Sequence, residues 1–237
     1  MPRRMTRWQD DTTPRRRLAL GRATAMLIAL LLTGCAGGLT GSTAQVPCPP
    51  TIEAPVLYPG DTWTLRYEDG DWARRTYNEG RDGLLLVRRA KSDAEYYFDH
   101  THTLRKVFSR GQWLTAPTPE FWDIGKPILK FPLMPGQGWV YSVPARGEYS
   151  LDFVRRHTVI RCEQVTVPAG TFIAVRIDVS QIQSNRPANA AKEWSLWYAP
   201  AAKYFVKQTG GPATFWTPVL GFELESYKID AGKPAAK

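Results

Sequence analysis

The stretch TVIRCEQVTVPAGTFIAVRIDVSQIQ, Thr158–Gln183, decides the fold. Two runs rich in Val, Ile and Thr flank Pro168-Ala169-Gly170. Branched side chains pack well on a pleated surface and lose freedom in a helix. Proline presets φ at the first corner of a tight turn, and glycine accepts a positive φ at its close. The stretch therefore predicts a long antiparallel hairpin.

Outward from it, strand signals recur at short intervals. In DTWTLRY, Trp63, Leu65 and Tyr67 alternate with Thr62, Thr64 and Arg66, the period of a half-buried strand. GLLLVRRA, AEYYFDH and TLRKVFSRG precede the hairpin, and EWSLWYA, KYFVKQT and GFELESYKI follow it. Long stretches with a 3.6-residue period are missing, and only SDAEYYF and PEFWDIG could hold short helical turns. Aromatic residues and turn formers are abundant: 9 Trp, 10 Tyr, 9 Phe, 19 Gly and 19 Pro. The expected fold is all-β, one antiparallel curved sheet or partly open β-barrel with little helix, over residues 56–230. YPGDTWTLRY (Tyr58–Tyr67) and MPGQGWVYSV (Met134–Val143) share Pro-Gly-x-x-Trp before a strand. Either part of the domain is duplicated, or Pro-Gly is simply common ahead of strands.

The N-terminus carries a different message. Seven arginines and two aspartates precede or flank Ala23–Leu32, ten residues without a charge. Ten is too few for a membrane-spanning helix, which needs about 20. Basic, apolar, then small residues is the order of a secretory signal peptide. Its end, Leu32-Thr33-Gly34-Cys35, resembles the bacterial lipobox. That resemblance implies cleavage before Cys35, a diacylglycerol on its sulfur and acylation of the new amino group. Two or more acyl chains hold a protein at a bilayer stably where one does so only marginally. An Asp after the cysteine retains enteric lipoproteins in the inner membrane, so Ala36 implies the periplasmic face of the outer membrane. Arg15-Arg16-Arg17-Leu18 is compatible with twin-arginine export. An arginine-rich leader offers such a run easily, which favours the ordinary Sec route.

Residues 1–34 hold 7 of the 31 basic and 2 of the 22 acidic residues, leaving 24 against 20. The high pI of the whole chain is largely leader. Arg74-Arg75, Arg88-Arg89 and Arg155-Arg156 are pairs and not a dense positive face, so no nucleic-acid partner is expected. Residues 35–55, small, polar and Pro-rich, read as a flexible tether spanning about 25 Å, and residues 231–237 as a frayed tail. Cys48 and Cys162 remain. In an oxidising compartment an even pair invites a disulfide; two separate reduced cysteines, one of them buried, is the alternative.

KFPLMPGQGWVY, VTVPAGTFIAVRI and EWSLWYAPAAKYFVKQ, together spanning Lys130–Gln208, resemble a group of Gram-negative envelope proteins and lipoproteins of unknown function. The shared pattern is Phe-Pro-Leu…Gly-x-x-Trp, Val-Pro-Ala-Gly-Thr-Phe and Trp-Tyr-x-Pro…Val-Lys. It implies a curved antiparallel sheet and confers no activity.

Chemistry-bearing motifs are scarce. Gly-x-Ser-x-Gly, His-Glu-x-x-His and phosphate-binding loops are all missing, so no catalytic residue and no cofactor is assigned. In FDHTHTL, a strand would put His100 and His102 on one face, as two metal ligands require, with Asp99 pointing away. His157 would have to arrive from elsewhere; polar residues at a strand end are the better reading, and we assign no metal. Glu223 and Glu225 alternate with Phe222 and Leu224, which places them on a solvent face. Trp63, Trp139, Trp194 and Trp197 are the candidates for ligand or partner contact, against the plainer role of core filling. Trp194 and Trp197, three apart, should face opposite sides of their strand. The function classes left are a partner for envelope proteins and a binding module for an acyl chain or another small apolar ligand. A hydrolase is a remote third.

Replacing the lipobox cysteine, Cys35→Ala, should leave an uncleaved precursor that takes up no labelled fatty acid. Normal processing and membrane retention of that variant would refute lipidation.

Overall fold

Pro-Gly turns start both halves of the architecture. The computed structural model describes residues 44–78, 83–89, 93–116, 124–143, 153–183, 192–210 and 220–229, all within the unit Thr40–Lys237. Cys35 with its lipobox, Trp122, Trp216 and the tail 231–237 lie outside them. After β1 (Ala44–Val46) comes a six-stranded antiparallel meander: β2 (Thr62–Tyr67), β3 (Trp72–Asn78), β4 (Leu84–Arg89), β5 (Glu95–Phe98), β6 (Leu104–Ser109) and β7 (Gln112–Leu114). A second six-stranded meander follows: β8 (Gly138–Val143), β9 (Phe153–Val167), β10 (Gly170–Gln183), β11 (Lys192–Ala199), β12 (Tyr204–Gln208) and β13 (Phe222–Lys228). β13 pairs with β2 and so joins the two into one sheet, ordered β1-β9-β10-β11-β12-β13-β2-β3-β4-β5-β6-β7 with β8 also on β9. The sheet is curved and does not close. The only helical element among the described residues is a 3-10 turn, Pro200–Ala202.

The echo in the sequence is an echo in hydrogen bonding. In both copies the residue after Pro-Gly donates its N–H to the carbonyl three residues back: Asp61 to Tyr58 and Gln137 to Met134, each at 3.0 Å. Gly60 and Gly136 take φ of +95° and +84°, where a side chain would be strained. Each glycine N–H then donates to a residue of the next strand, Gly60 to Tyr77 and Gly136 to Val159. That residue donates back to Asp61 or Gln137. This is a turn running into a glycine bulge, which fixes register and twist at the strand start. It opens β2 in one meander and β8 in the other.

The β9–β10 hairpin forms where the sequence places it, Val167 opposite Gly170, with Gly170 at φ +133°. Its buried face changes along its length. On β10, Phe172 and Ala174 are buried toward the turn, whereas Ile177, Val179 and Gln181 are buried toward the far end. The register shifts between Arg176 and Ile177, where β9 carries one extra residue. Such a bulge bends a strand and increases its twist, so each half of the hairpin offers the opposite face to the core. The Ala169 N–H donates to the Leu224 carbonyl at 3.0 Å, holding the hairpin tip against β13.

Large aromatic and aliphatic side chains pack the interior between the described strands. Trp63, Tyr97, Tyr198, Tyr204 and Phe153 lead the fully buried side chains. A smaller cluster of Ala94, Leu104, Val107 and Ile124 sits apart from the main core. Gly125–Pro135, between β7 and β8, runs as a strap and not as a strand; Pro127, Pro132 and Pro135 cannot donate to a ladder. It is held by buried Leu129 and Leu133 and by hydrogen bonds from Gly125 to Leu104, Leu129 to Thr101, and between Leu133 and Ile52.

The first of the described residues are bound more tightly than a tether. Ala44–Val46 pairs with Gln164–Cys162 of β9, Cys48 is disulfide-bonded to Cys162 with Cα atoms 5.1 Å apart, and Ile52 is buried. Residues 44–55, expected to be flexible, are thus built into the fold. The bridge closes a sequence separation of 114 residues. Constraining so long a loop in the unfolded chain stabilises a fold by about 2–5 kcal/mol. Reduction should lower the urea-unfolding free energy by about that amount. Cys48→Ala should show the same loss and no further response to reductant; equal stability with and without the bridge would contradict this.

Candidate functional site

Trp139, the third residue after the Gly136 bulge, sits where the open edge of the sheet meets the strap. Its ring stacks on His157 of β9, with centroids 5.0 Å apart and planes 3° from parallel. Behind this pair Arg155 is buried against Trp194, 4.9 Å from its ring. Its Nε and Nη2 donate to Gln181 Oε1 at 3.1 and 2.6 Å, and its Nη1 donates to the Tyr141 hydroxyl at 3.0 Å. A buried guanidinium needs such partners because desolvation is otherwise costly. The group ties β8, β9, β10 and β11 together and leaves the far side of β8 facing outward.

An open cleft of about 660 Å³ lies there. Trp139, Val140 and Tyr141, three successive residues of β8, form one wall. Lys126, Lys130 and Phe131 of the strap form another, with Glu53 and His100 at its margin. The described lining of the cleft offers aromatic faces, two lysine side chains and one carboxylate. A second, smaller cleft of about 340 Å³ lies by Tyr58, Tyr198 and Lys203. The Lys203 ammonium there is turned inward, bonded to the fully buried Asp61 at 3.2 Å.

The four tryptophans read as contact candidates divide unequally. Trp139 lines the larger cleft. Trp63 is fully buried; its Nε1 donates to the Ala202 carbonyl at 2.7 Å and its ring stacks on Tyr204. Trp197 is buried, with its Nε1 donating to Glu163 Oε2 at 2.8 Å, and Trp194 is buried beneath Arg155. For Trp63, Trp194 and Trp197, ligand or partner contact gives way to internal packing. Trp194 and Trp197 do lie on opposite faces, opposite Val179 and Arg176. Both faces are covered here because the hairpin bulge has switched the buried side.

The histidines lie past a strand end: β5 stops at Phe98, and residues 99–103 form a turn, so the one-face arrangement that two metal ligands would need is not built. Asp99 Oδ1 accepts from the Thr101 and Thr103 N–H groups at 2.8 and 3.0 Å and from the Thr101 hydroxyl at 2.6 Å. A short acidic side chain bonding its own backbone competes with a ladder in this way. His100 is left exposed at the cleft, whereas His102, at φ +54°, is buried among Tyr198, Tyr204 and Phe205. They share no metal site, and no cluster of three or more metal-binding side chains occurs among the described residues. Sequence reasoning missed Glu53, Lys126, Lys130 and Phe131, and weighed His100 only as a metal ligand. The prolines of GKPILKFPLMPG signalled an interrupted sheet, though not what it faces.

His102 and His157 are both held neutral. Burial pushes His157 down to about 3, with the Arg155 charge adding to it. Burial, then Arg75 and His100, push His102 well below its ordinary value. Unfolding frees both to bind a proton below about pH 6.5. Their stabilising contribution is therefore complete above that pH and is lost as pH falls toward the folded values. The loss is up to about 1.4 kcal/mol per pH unit per histidine. Urea unfolding at about pH 7 and about pH 5 should show it, and His157→Phe should reduce the slope. An unchanged slope in that variant would remove His157 from the account.

No protein-family model matches the chain, and no curated protein sequence does. Two solved structures are distantly similar. One, described as a "putative lipoprotein" from Parabacteroides distasonis, is 12% identical, with 75% of this chain and 99% of that chain covered, at a TM-score of 0.37. The other, a "putative exported protein with YmcC-like fold" from Bacteroides fragilis, is 12% identical with the same coverage, at a TM-score of 0.33.

Proposed function

We propose that the chain is a lipid-anchored protein of the bacterial cell envelope, at the periplasmic face of the outer membrane, that acts by binding a partner and not by catalysis. The address rests on Leu32-Thr33-Gly34-Cys35, and the Cys48–Cys162 disulfide fits an oxidising compartment. One observation carries the mode of action: a cleft beside β8 that is open to solvent. Such a surface suits a partner's chain. An acyl-binding module would keep an enclosed apolar cavity of about 300 Å³ or more, and here the central space holds Trp63, Tyr198 and Tyr204.

In-cell crosslinking with an amine-reactive reagent, followed by detergent extraction and native mass spectrometry, tests this reading. The expected result is a discrete species of this protein with a second envelope protein. A bound acyl lipid in place of a protein would favour the ligand-binding module. Monomer alone, with neither, would overturn the binding role.

A further inference from the structure

The two Pro-Gly turns allow a comparison within the molecule. Antiparallel partners alternate between residues that bond each other and residues that turn N–H and C=O away. Counting from the bulge at Gly60, Trp63 bonds β3, and Thr62, Thr64 and Arg66 turn to the other side. There β13 covers them, with Lys228, Ser226 and Glu223 opposite. Counting likewise from Gly136, Trp139 bonds β9, and Gly138, Val140 and Ser142 turn outward. Among the described residues no strand stands beside them.

Further observations set this edge apart. β8 is six residues long with neither charge nor proline, whereas β1 and β7 are three residues each. Folded proteins avoid leaving long uncharged edges open, because they recruit other chains. Val140 is 53% exposed, and the strand forms a wall of the cleft. The Trp139 indole N–H is buried with no acceptor among the described residues, whereas the equivalent N–H of Trp63 has Ala202.

We infer that β8 takes up an extended segment of a partner protein by strand addition, and that this segment alternates apolar with acidic side chains. The inference rests on the partner-binding reading above and names the partner's chemistry. β13 is the internal precedent: Phe222-Glu223-Leu224-Glu225 lies along β2, with Glu225 paired to Arg66 and Glu223 to Lys207. Among the described residues lining the cleft at β8, the charged groups are Lys126 and Lys130 with the carboxylate of Glu53. A second copy of this chain, paired edge to edge, would bring these lysines against their own equivalents. The occupant is therefore a different protein.

The probe is the peptide Gly-Phe-Glu-Leu-Glu-Ser-Tyr-Lys, copied from Gly221–Lys228, labelled and titrated into the mature full-length protein in detergent. Saturable binding is expected. Val140→Pro, which removes an outward N–H without touching the β9 ladder, should weaken it about tenfold or more. N-methylating alternate peptide amides should do the same. With Lys126→Glu and Lys130→Glu combined, the protein should prefer a peptide whose glutamates are replaced by lysine. Unchanged affinity in a Val140→Pro protein with the parent's circular dichroism and melting temperature would overturn the inference. If that variant does not fold, the N-methylated peptide decides the matter on the unaltered protein, and equal binding overturns it. So would a dimer of this chain that Val140→Pro dissociates, which would make the second copy the occupant. Should an envelope partner still crosslink while the peptide does not bind, strand addition at β8 falls and the partner-binding reading stands.

Discussion

The pairing of β13 with β2 is the interaction on which the rest depends. Without it the chain would be two ribbons, each made of neighbouring strands joined by hairpins. With it, residues more than 150 positions apart, such as Arg66 and Glu223, become partners in one ladder. That contact gives the core its second wall. Trp63 on β2 reaches the Ala202 carbonyl and stacks on Tyr204, and the hairpin tip at Ala169 bonds Leu224 of β13. The joint is made by β13, the C-terminal strand among the described residues, so it closes a loop over most of the described chain. Long-range pairing of this kind carries a large loop-closure cost before any contact offsets it.

Where structure follows from local chemistry, the sequence was a good guide. The β9–β10 hairpin and the alternation in β2 depend on neighbours a few positions away, and they form as read. So does the shared Pro-Gly start of β2 and β8. What the sequence hid depends on distant residues. Ala44–Val46 looked like tether because nothing in it announces β9, more than 110 residues on, as its partner. The polar residues of FDHTHTL pointed to a strand end, but their pattern does not show that the Asp99 carboxylate collects three donors and closes a turn. Trp194 and Trp197 were separable by face, but whether both faces are covered depends on one extra residue in β9.

The cleft was illegible for a related reason. Its lining comes from the segment between β1 and β2 at Glu53, from the turn after β5 at His100, and from the strap and β8, so only the last two are neighbours in sequence. Trp139 could be suspected from its place after the Pro-Gly turn, yet so could Trp63, and the two differ only in what lies beyond the strand. At β2 another strand of the same chain lies there; at β8 the strap passes at a distance and leaves a gap. The same local device thus ends in packing at one site and in an open edge at the other.

β1 and β8 also share a side of the sheet, for both pair with the edge of β9 that β10 leaves, β1 at Cys162–Gln164 and β8 at Phe153–Thr158. The disulfide at Cys48 staples β1 to that edge at Cys162. The turn-side half of β9 is thus covered by a covalently held strand and its far half by β8, whose own outer side is left without a strand among the described residues. The two edge strands of one long hairpin are therefore unlike: one is fixed by a covalent bond and three residues long, the other longer and held by its ladder alone.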